Sequence, residues 1–243
     1  MRLSELPTPA LCVDLDPFER NLVRMHTFFA DRACDIRPHL KAHKTPAIAR
    51  LQKEAGCNGF CCATLPEAEV FGRDGFDDLL IANEICDPTK IDRLVALSKK
   101  ITLTVAVDSE AAVNLLSGTD LRVLIDVNVG LPRCGVAPDK AVELARRAMR
   151  AGLQVIGVMG YEGHATAIED VTERAGVARK SMDILLGVAQ ALRDESYDVQ
   201  VVSAGSTLTY DVVGAIDGIT EVQAGSYALM DTEFSKSSPF EEA

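Results

Sequence analysis

Short apolar runs alternate with longer amphipathic segments along almost the whole chain. Eight of the apolar runs predict β-strands, near residues 35–41, 59–63, 78–82, 101–107, 121–128, 154–160, 199–203 and 219–223. Helical periodicity is found between them, at residues 46–55, 65–73, 88–99, 109–117, 138–151 and 171–195, and a short helix is expected within 204–218. A further helix precedes the first strand. Asp16 is its predicted N-cap, Pro17 its first residue, and it runs to Phe29.

This alternation predicts a parallel α/β fold, and eight strands is the number that closes a (β/α)8 barrel of TIM type. The runs at 123–127 and 155–159 are apolar on both faces, as buried parallel strands are. An open doubly wound sheet is the competing architecture, but the sequence lacks the GxGxxG turn of its dinucleotide-binding members. We therefore expect a barrel over residues 1–231, followed by a polar tail at 232–243.

Composition narrows the classes of partner and the compartment. The net charge of −11 and the pI near 4.9 argue against nucleic acid or an anionic membrane as the main partner. The sequence has neither the apolar core of a signal peptide nor a window long enough to span a membrane. Seven cysteines, an odd number, predict free thiols in a reducing cytoplasm. Among them, Cys57, Cys61 and Cys62 are interpreted as packed side chains rather than metal ligands.

A basic cluster at residues 37–44 places two histidines and two lysines among strand-forming sequence. If the strand continues through it, His39, Lys41 and His43 share one face. A lysine between two imidazoles suits an amine that must lose its proton. Its pKa would have to fall by about three units from ~10.4, at a cost of ~4 kcal/mol, and burial and positive neighbours both favour that. On these residues alone, a solvated basic patch at a strand end is an equally good interpretation.

Candidate chemistry follows several strands, at the end where barrels carry their active sites. The loops after strands seven and eight often bind phosphate, and here they supply glycines and hydroxyl groups: Gly205, Ser206, Thr207, Gly225 and Ser226. Opposite a candidate amine on strand one, they suggest a phosphorylated cofactor held covalently by lysine, as pyridoxal phosphate is. Each loop alone is equally typical of an ordinary turn.

Other polar residues at strand ends are more ambiguous. Asp108 and Asp126 are interpreted as structural caps. Glu162 and His164 flank Gly163 on a loop, where they either face a substrate or are simply exposed, and His164 is the better functional candidate.

Four motifs in order along the chain resemble fold-type III pyridoxal-phosphate enzymes. The similarity is to the D-threonine aldolase, D-serine dehydratase and 3-hydroxy-D-aspartate aldolase group, whose barrel is like the N-terminal domain of alanine racemase. The motifs are TPAL at 8–11, RPHLKAHK at 37–44, GVMGYEGH at 157–164 and EVQAGSY at 221–227.

The resemblance implies a role for each matching residue. Lys41 carries the cofactor covalently and Lys44 is only a neighbour. Gln223 stands where alanine racemases place an arginine against the pyridine nitrogen, which implies an electron sink of intermediate strength. His43 and His164 are candidate bases. The remaining implied cofactor contacts are Arg133, Tyr161, Gly205, Ser206, Thr207, Gly225, Ser226 and Tyr227.

The implied activity is cleavage of a D-configured β-hydroxy amino acid to glycine and an aldehyde, by a cytoplasmic homodimer. Dehydration of D-serine or 3-hydroxyaspartate, racemisation, and cofactor binding without catalysis are the alternatives. Family members carry a C-terminal β-domain that supplies a divalent-metal site. That domain is absent from these 243 residues, so we assign no metal ligand.

Overall fold

A computed structural model describes residues 3–243 as a ring of parallel strands surrounded by helices. Neighbouring strands follow the order β1-β8-β7-β6-β5-β4-β3-β2, and a bridge between His39 and Cys61 closes the ring. The strands are β1 (Asp35–Ile36), β2 (Phe60–Cys62), β3 (Asp78–Glu84), β4 (Thr102–Val107), β5 (Arg122–Asp126), β6 (Gln154–Met159), β7 (Val201–Ala204) and β8 (Glu221–Val222). The predicted (β/α)8 barrel is thereby confirmed.

Helices follow the strands as the amphipathic pattern predicts. They are α1 (Leu15–Phe29), α2 (Pro46–Glu54), α3 (Leu65–Arg73), α4 (Ile91–Ser98), α5 (Glu110–Leu115), α6 (Ala141–Arg150), α7 (Val171–Asp194) and α8 (Tyr210–Val213). The predicted cap of α1 is wrong by two residues. Asp14 is the N-cap, and its carboxylate accepts a hydrogen bond from the Asp16 N–H at 3.1 Å. Among residues 3–243, no helix is both long and apolar enough to cross a membrane.

The first strand is much shorter than predicted, and this changes the geometry of the basic cluster. β1 ends at Ile36, and Leu40–Ala42 form a turn of 3-10 helix. Hydrogen bonds to the β8 segment continue as far as His39, whose N–H donates to the Ala224 carbonyl at 3.0 Å. The chain then turns, and the His43 N–H donates to the Leu40 carbonyl at 3.2 Å. The predicted strand alternation, with His39, Lys41 and His43 on one face, is therefore wrong.

Two apolar layers hold the ring together. The larger packs the outer strand faces against the helices, whereas a smaller cluster fills the interior: Cys61, Leu80, Ala106, Leu124, Ile156 and Met159. Cys57, Cys61 and Cys62 are all buried free thiols, as the packing interpretation requires.

Ion pairs occupy the amino-terminal end of the barrel. Arg37 Nε lies 2.7 Å from a Glu221 carboxylate oxygen, and its Nη1 lies 3.0 Å from Asp78. Asp78 and Glu221 begin their strands, and Arg37 directly follows β1. This end of the barrel therefore carries paired charges.

The last residues pack back onto the barrel. Phe234–Ser237 form a 3-10 turn, and Phe240 is buried against the rings of Tyr210 and Tyr227. Glu241 pairs with Arg20 of α1. The segment 232–243 is thus an ordered cover over the end of α1 and the loop after β8.

Candidate active site

A cavity of about 410 Å³ opens at the carboxyl ends of the strands. It brings together nine of the residues that the sequence predicts to bind a cofactor: Lys41, Arg133, Tyr161, Gly205, Ser206, Thr207, Gln223, Gly225 and Ser226. The tenth, Tyr227, is fully buried behind them, and its N–H donates to Thr207 Oγ1 at 3.0 Å. A larger cavity, of about 660 Å³, lies at the opposite end and contains none of these residues.

Lys41 stands at the cavity mouth, on the turn that follows β1. Its Nζ lies 5.9 Å from the centre of the Tyr161 ring, and the Arg133 guanidinium carbon lies 5.3 Å from the same ring. The side chain reaches solvent, yet surrounding protein lowers its pKa, chiefly by desolvation and then through the positive charge of Arg133. A lysine in this setting is more readily available as a neutral amine than a free one.

His39 borders the same cavity and is nearly buried. Its Nδ1 accepts a hydrogen bond from the Lys41 N–H at 3.5 Å. Burial, followed by the charge of Lys41, lowers the pKa of His39 to about 3. The ring is therefore neutral, so the charge that acts on Lys41 comes from Arg133 and not from imidazolium.

Neither of the two histidines predicted as bases lines the cavity. His43 accepts the Thr45 N–H at Nδ1, at 3.0 Å, and its Nε2 lies 3.2 Å from Gln52 Oε1, so both ring nitrogens are engaged away from the site. His164 packs against Gly130, and its Nδ1 is buried with no hydrogen-bond partner among residues 3–243.

The loops after β7 and β8 have the geometry of an anion cradle. Gly205 has a φ of +81°, and a Cβ there would lie 2.9 Å from Val222 Cγ1. A Cβ on Gly225 would lie 2.7 Å from the His39 carbonyl oxygen. The hydroxyls of Ser206 and Thr207 line the cavity between them. Tight backbone and small hydroxylated side chains fit a phosphate group.

Gln223 completes the wall between these loops. Its Nε2 donates to Ser203 Oγ at 2.8 Å, which fixes the amide against β7. The side chain is neutral, as the sequence implies. It therefore supplies no charge to a ring nitrogen that lies against it.

A carboxyl group that the sequence interpretation misjudged lies beneath the cradle. Glu162 is 0% exposed and contacts Gly205 and Thr209, so the expectation of a substrate-facing or exposed side chain is wrong. The Gly160–Tyr161 backbone turns it inwards, under the loop after β7. Its position three residues after a strand end was the available signal, but periodicity does not specify direction in a loop.

A second acidic group was missed at the opposite wall. Glu84, Asp126 and Cys134 bring ligand atoms within 4.8 Å of one another, and such a trio is able to hold a metal ion. Burial, and then the neighbouring Glu84 carboxyl, raise the pKa of Asp126 to about 8. Glu84 and Cys134 line the cavity, and Asp126 is buried behind them. Asp108 accepts the Gly135 N–H at 3.2 Å, whereas Ser109 is the N-cap of α5.

An eight-stranded barrel with a lysine after β1, facing glycine and hydroxyl loops after β7 and β8, defines the class of fold-type III pyridoxal-phosphate barrels. The sequence profile of the alanine racemase N-terminal domain matches residues 13–233, and the chain belongs to this family. The family implies pyridoxal phosphate as the cofactor. The resemblance drawn from the four motifs is confirmed.

Three of the most similar proteins are lyases. The chain is 35% identical over 240 residues to a D-threonine aldolase from Arthrobacter sp., covering 96% of this chain and 63% of that protein. It is 30% identical to a D-threo-3-hydroxyaspartate dehydratase from Delftia sp., over 94% of this chain and 63% of that one. The crystal structure of D-threonine aldolase from Filomicrobium marinum superposes with a TM-score of 0.95 at 35% identity, covering 99% of this chain and 69% of the other. The chain thus spans less than two thirds of the curated relatives' length.

Proposed function

We propose that this chain is the cofactor-binding barrel of a pyridoxal-phosphate lyase that cleaves D-configured β-hydroxy amino acids. The observation that carries the proposal is the juxtaposition of Lys41 with the Gly205–Ser206–Thr207 and Gly225–Ser226 loops across one cavity. Lys41, an amine with a lowered pKa, would react with the cofactor aldehyde, and the two loops would bind its phosphate. Residues 1–231 form the barrel in this proposal, and 232–243 lead towards the C-terminal β-domain of the family.

Each residue has a defined task in this proposal. Lys41 binds the cofactor covalently. Ser206, Thr207 and the two glycines hold the phosphate, and Tyr161 packs beside the ring. When bound, the cofactor withdraws electrons from the bond that breaks at Cα. For D-threonine that bond would be Cα–Cβ: a base would take the hydroxyl proton, Cα would take up a proton in return, and the products would be acetaldehyde and glycine.

The residue that takes the hydroxyl proton is not assigned. His43 and His164, the candidates from the sequence, would have to turn towards the cavity to reach a substrate. In the family, a divalent-metal site in the C-terminal β-domain would be the alternative acceptor. We also propose that the full-length protein is a cytoplasmic homodimer acting on small amino acids.

Dehydration is the second candidate, and the similarity to the Delftia dehydratase favours it. It begins with removal of the Cα proton and ends in a keto acid and ammonia. The full-length protein incubated with D-threonine and with D-serine distinguishes the two. Aldehyde supports aldol cleavage, keto acid with ammonia supports dehydration, and the L-isomer supports racemisation. If protein loaded with the cofactor forms none of these products, the result supports cofactor binding without catalysis.

The attachment residue is tested with a matched pair of lysine variants. Lys41→Ala should abolish the visible absorbance of lysine-bound pyridoxal phosphate. Lys44→Ala is the control, because Lys44 is largely exposed and pairs with Glu67 at 2.9 Å outside the cavity. An unchanged spectrum in Lys41→Ala would reject the assignment and, with it, the proposed site.

A further inference from the structure

Glu162 is a fully buried carboxyl group without a cationic partner among the described residues. Its Oε2 accepts the Gly205 N–H at 3.2 Å, and its Oε1 lies 2.5 Å from Thr209 Oγ1. Burial raises its pKa, although these hydrogen bonds partly oppose the shift. A buried acid that lacks a cation is more stable in its neutral form.

Thr209 connects this carboxyl group to the cavity. Its Oγ1 accepts the Ser206 N–H at 3.0 Å and lies 2.9 Å from Ser206 Oγ. Thr209 itself is fully buried, whereas Ser206 lines the cavity. A continuous path of short polar contacts therefore runs from Glu162 through Thr209 to Ser206.

Two arrangements of the protons make every contact in this path a hydrogen bond and leave no carboxyl proton without a partner. A hydroxyl group has one proton to donate and two lone pairs to accept with. If Glu162 is ionised, Thr209 must donate to it and Ser206 must donate to Thr209, so Ser206 turns only a lone pair to the cavity. If Glu162 is protonated, it donates to Thr209, Thr209 donates to Ser206, and the Ser206 proton is free to point into the cavity.

Only the second arrangement suits an anion. A phosphate group accepts hydrogen bonds, and a lone pair directed at it is repulsive. An ionised Glu162 would also place a carboxylate beneath the phosphate loop, at Gly205. The neutral acid avoids both costs.

We propose that Glu162 is a positioning residue which, as the neutral acid, turns the Ser206 hydroxyl proton towards the cofactor phosphate through Thr209. The inference rests on the proposed function, because it takes the phosphate of the cofactor to lie in the Gly205–Thr207 loop. The elements that contact Glu162 present a glycine N–H and a hydroxyl, which are uncharged. Tyr161, its neighbour in the chain, is titratable, and its pKa is raised by burial and then by the ionised form of Glu162. Lys41 and Arg133 line the cavity that Ser206 faces.

The test compares pyridoxal phosphate with pyridoxal, which has the same aldehyde but no phosphate. Dissociation constants for both are measured from the absorbance of lysine-bound cofactor in the wild type, Glu162→Ala, Glu162→Gln and Thr209→Val. Glu162→Ala and Thr209→Val should weaken pyridoxal phosphate roughly 10- to 100-fold, the effect of one hydrogen bond to a charged group, and leave pyridoxal unchanged. Glu162→Gln should keep the wild-type ratio, because its amide N–H donates to Thr209 and its oxygen accepts from Gly205.

The pH profile separates positioning from a merely structural role. Ionisation of the phosphate itself, at about pH 6, is common to both proteins. The wild type should lose preference for pyridoxal phosphate, relative to Glu162→Gln, as the pH rises through the raised pKa of Glu162, because the glutamine cannot ionise. Equal weakening of both aldehydes, or a wild-type ratio in Glu162→Ala, would overturn the inference. If neither aldehyde binds to the wild type, the proposed function itself fails.

Discussion

At the scale of single residues, the environment of Lys41 differs from the one its sequence neighbours indicate. In the sequence, the basic cluster at 37–44 indicates that two flanking imidazoles lower the pKa of the lysine. In the structure His39 is neutral, and His43 is turned towards Gln52. The nearby charge is Arg133, from the loop after β5, whose guanidinium carbon lies 5.3 Å from the centre of the Tyr161 ring. Distant parts of the chain thus set the reactivity of this amine.

Arg133→Gln should therefore move the pH dependence of cofactor attachment to higher pH. Removal of a positive neighbour makes the ammonium form of Lys41 less unfavourable, so its pKa rises and less neutral amine is present at a given pH. The rate of attachment of pyridoxal across pH measures this without involving the phosphate contacts. Arg150→Gln, on the exposed surface of α6, is the control. A profile identical to that of the wild type would show that Arg133 does not act on Lys41.

Most of the cavity residues were predictable from the sequence because each lies in a segment that follows a strand. Lys41, Arg133, Tyr161 and the Gly/Ser loops all belong to this group. The orientation of His43 and His164, the two predicted bases, could not be predicted from the sequence, because it depends on turns that periodicity does not describe. Glu162 shows the same limit in the other direction: a loop carboxylate is normally solvated, and only the fold reveals that this one is buried.

At the scale of elements, the observed boundaries match the predicted ones most closely where the hydrophobic pattern and the capping residues agree. The predicted helix 65–73 begins and ends as expected, because the Thr64 hydroxyl caps it and Pro66 lies in its first turn. A larger departure is β1, predicted at 35–41 and ending at Ile36. The apolar pattern continues past Pro38, but the chain enters a 3-10 turn at Leu40, and this turn presents Lys41.

A pair of glycine variants should separate strain in the phosphate loop from helix propensity. Gly205→Ala should lower the free energy of unfolding by about 1–2 kcal/mol, because an L-residue at positive φ is strained and the Cβ meets Val222. Gly187→Ala lies within α7 with nothing within 4 Å of the new Cβ, so it should raise that free energy by up to ~1 kcal/mol. Urea denaturation measures both.

Cofactor binding supplies the second measurement on these variants. Gly205→Ala should also weaken pyridoxal phosphate more than pyridoxal, since the strained loop holds the phosphate. Gly187→Ala should leave both affinities unchanged. A stable Gly205→Ala protein with wild-type affinity for pyridoxal phosphate would contradict the assignment of this loop.

At the scale of the whole molecule, buried ionisable groups couple stability to pH. His39 has a folded-state pKa of about 3 against an ordinary value of 6.5, so between these values the unfolded chain binds the extra proton. The contribution of His39 to the free energy of unfolding is fully present above pH 6.5 and is lost as the pH falls towards about 3. Asp126 acts in the opposite direction, because its pKa is raised to about 8 and the folded state holds the proton over the same range.

His39→Gln isolates the histidine contribution from that of Asp126. Between about pH 7.5 and pH 5, the wild type should lose ~2 kcal/mol more unfolding free energy than the variant does. Denaturant titrations of both proteins at the two pH values give this difference directly, because the Asp126 contribution is common to both. Parallel losses in the two proteins would mean that His39 is protonated in the folded state.

The ion pairs of Arg37 with Glu221 and Asp78 line a cavity of about 660 Å³ at the end of the barrel opposite Lys41. The apolar side chains that fill the barrel interior lie between that cavity and the candidate site. In the proposed function, cofactor and substrate enter at the mouth that Lys41 borders, and a structure that covered this mouth would control their exchange.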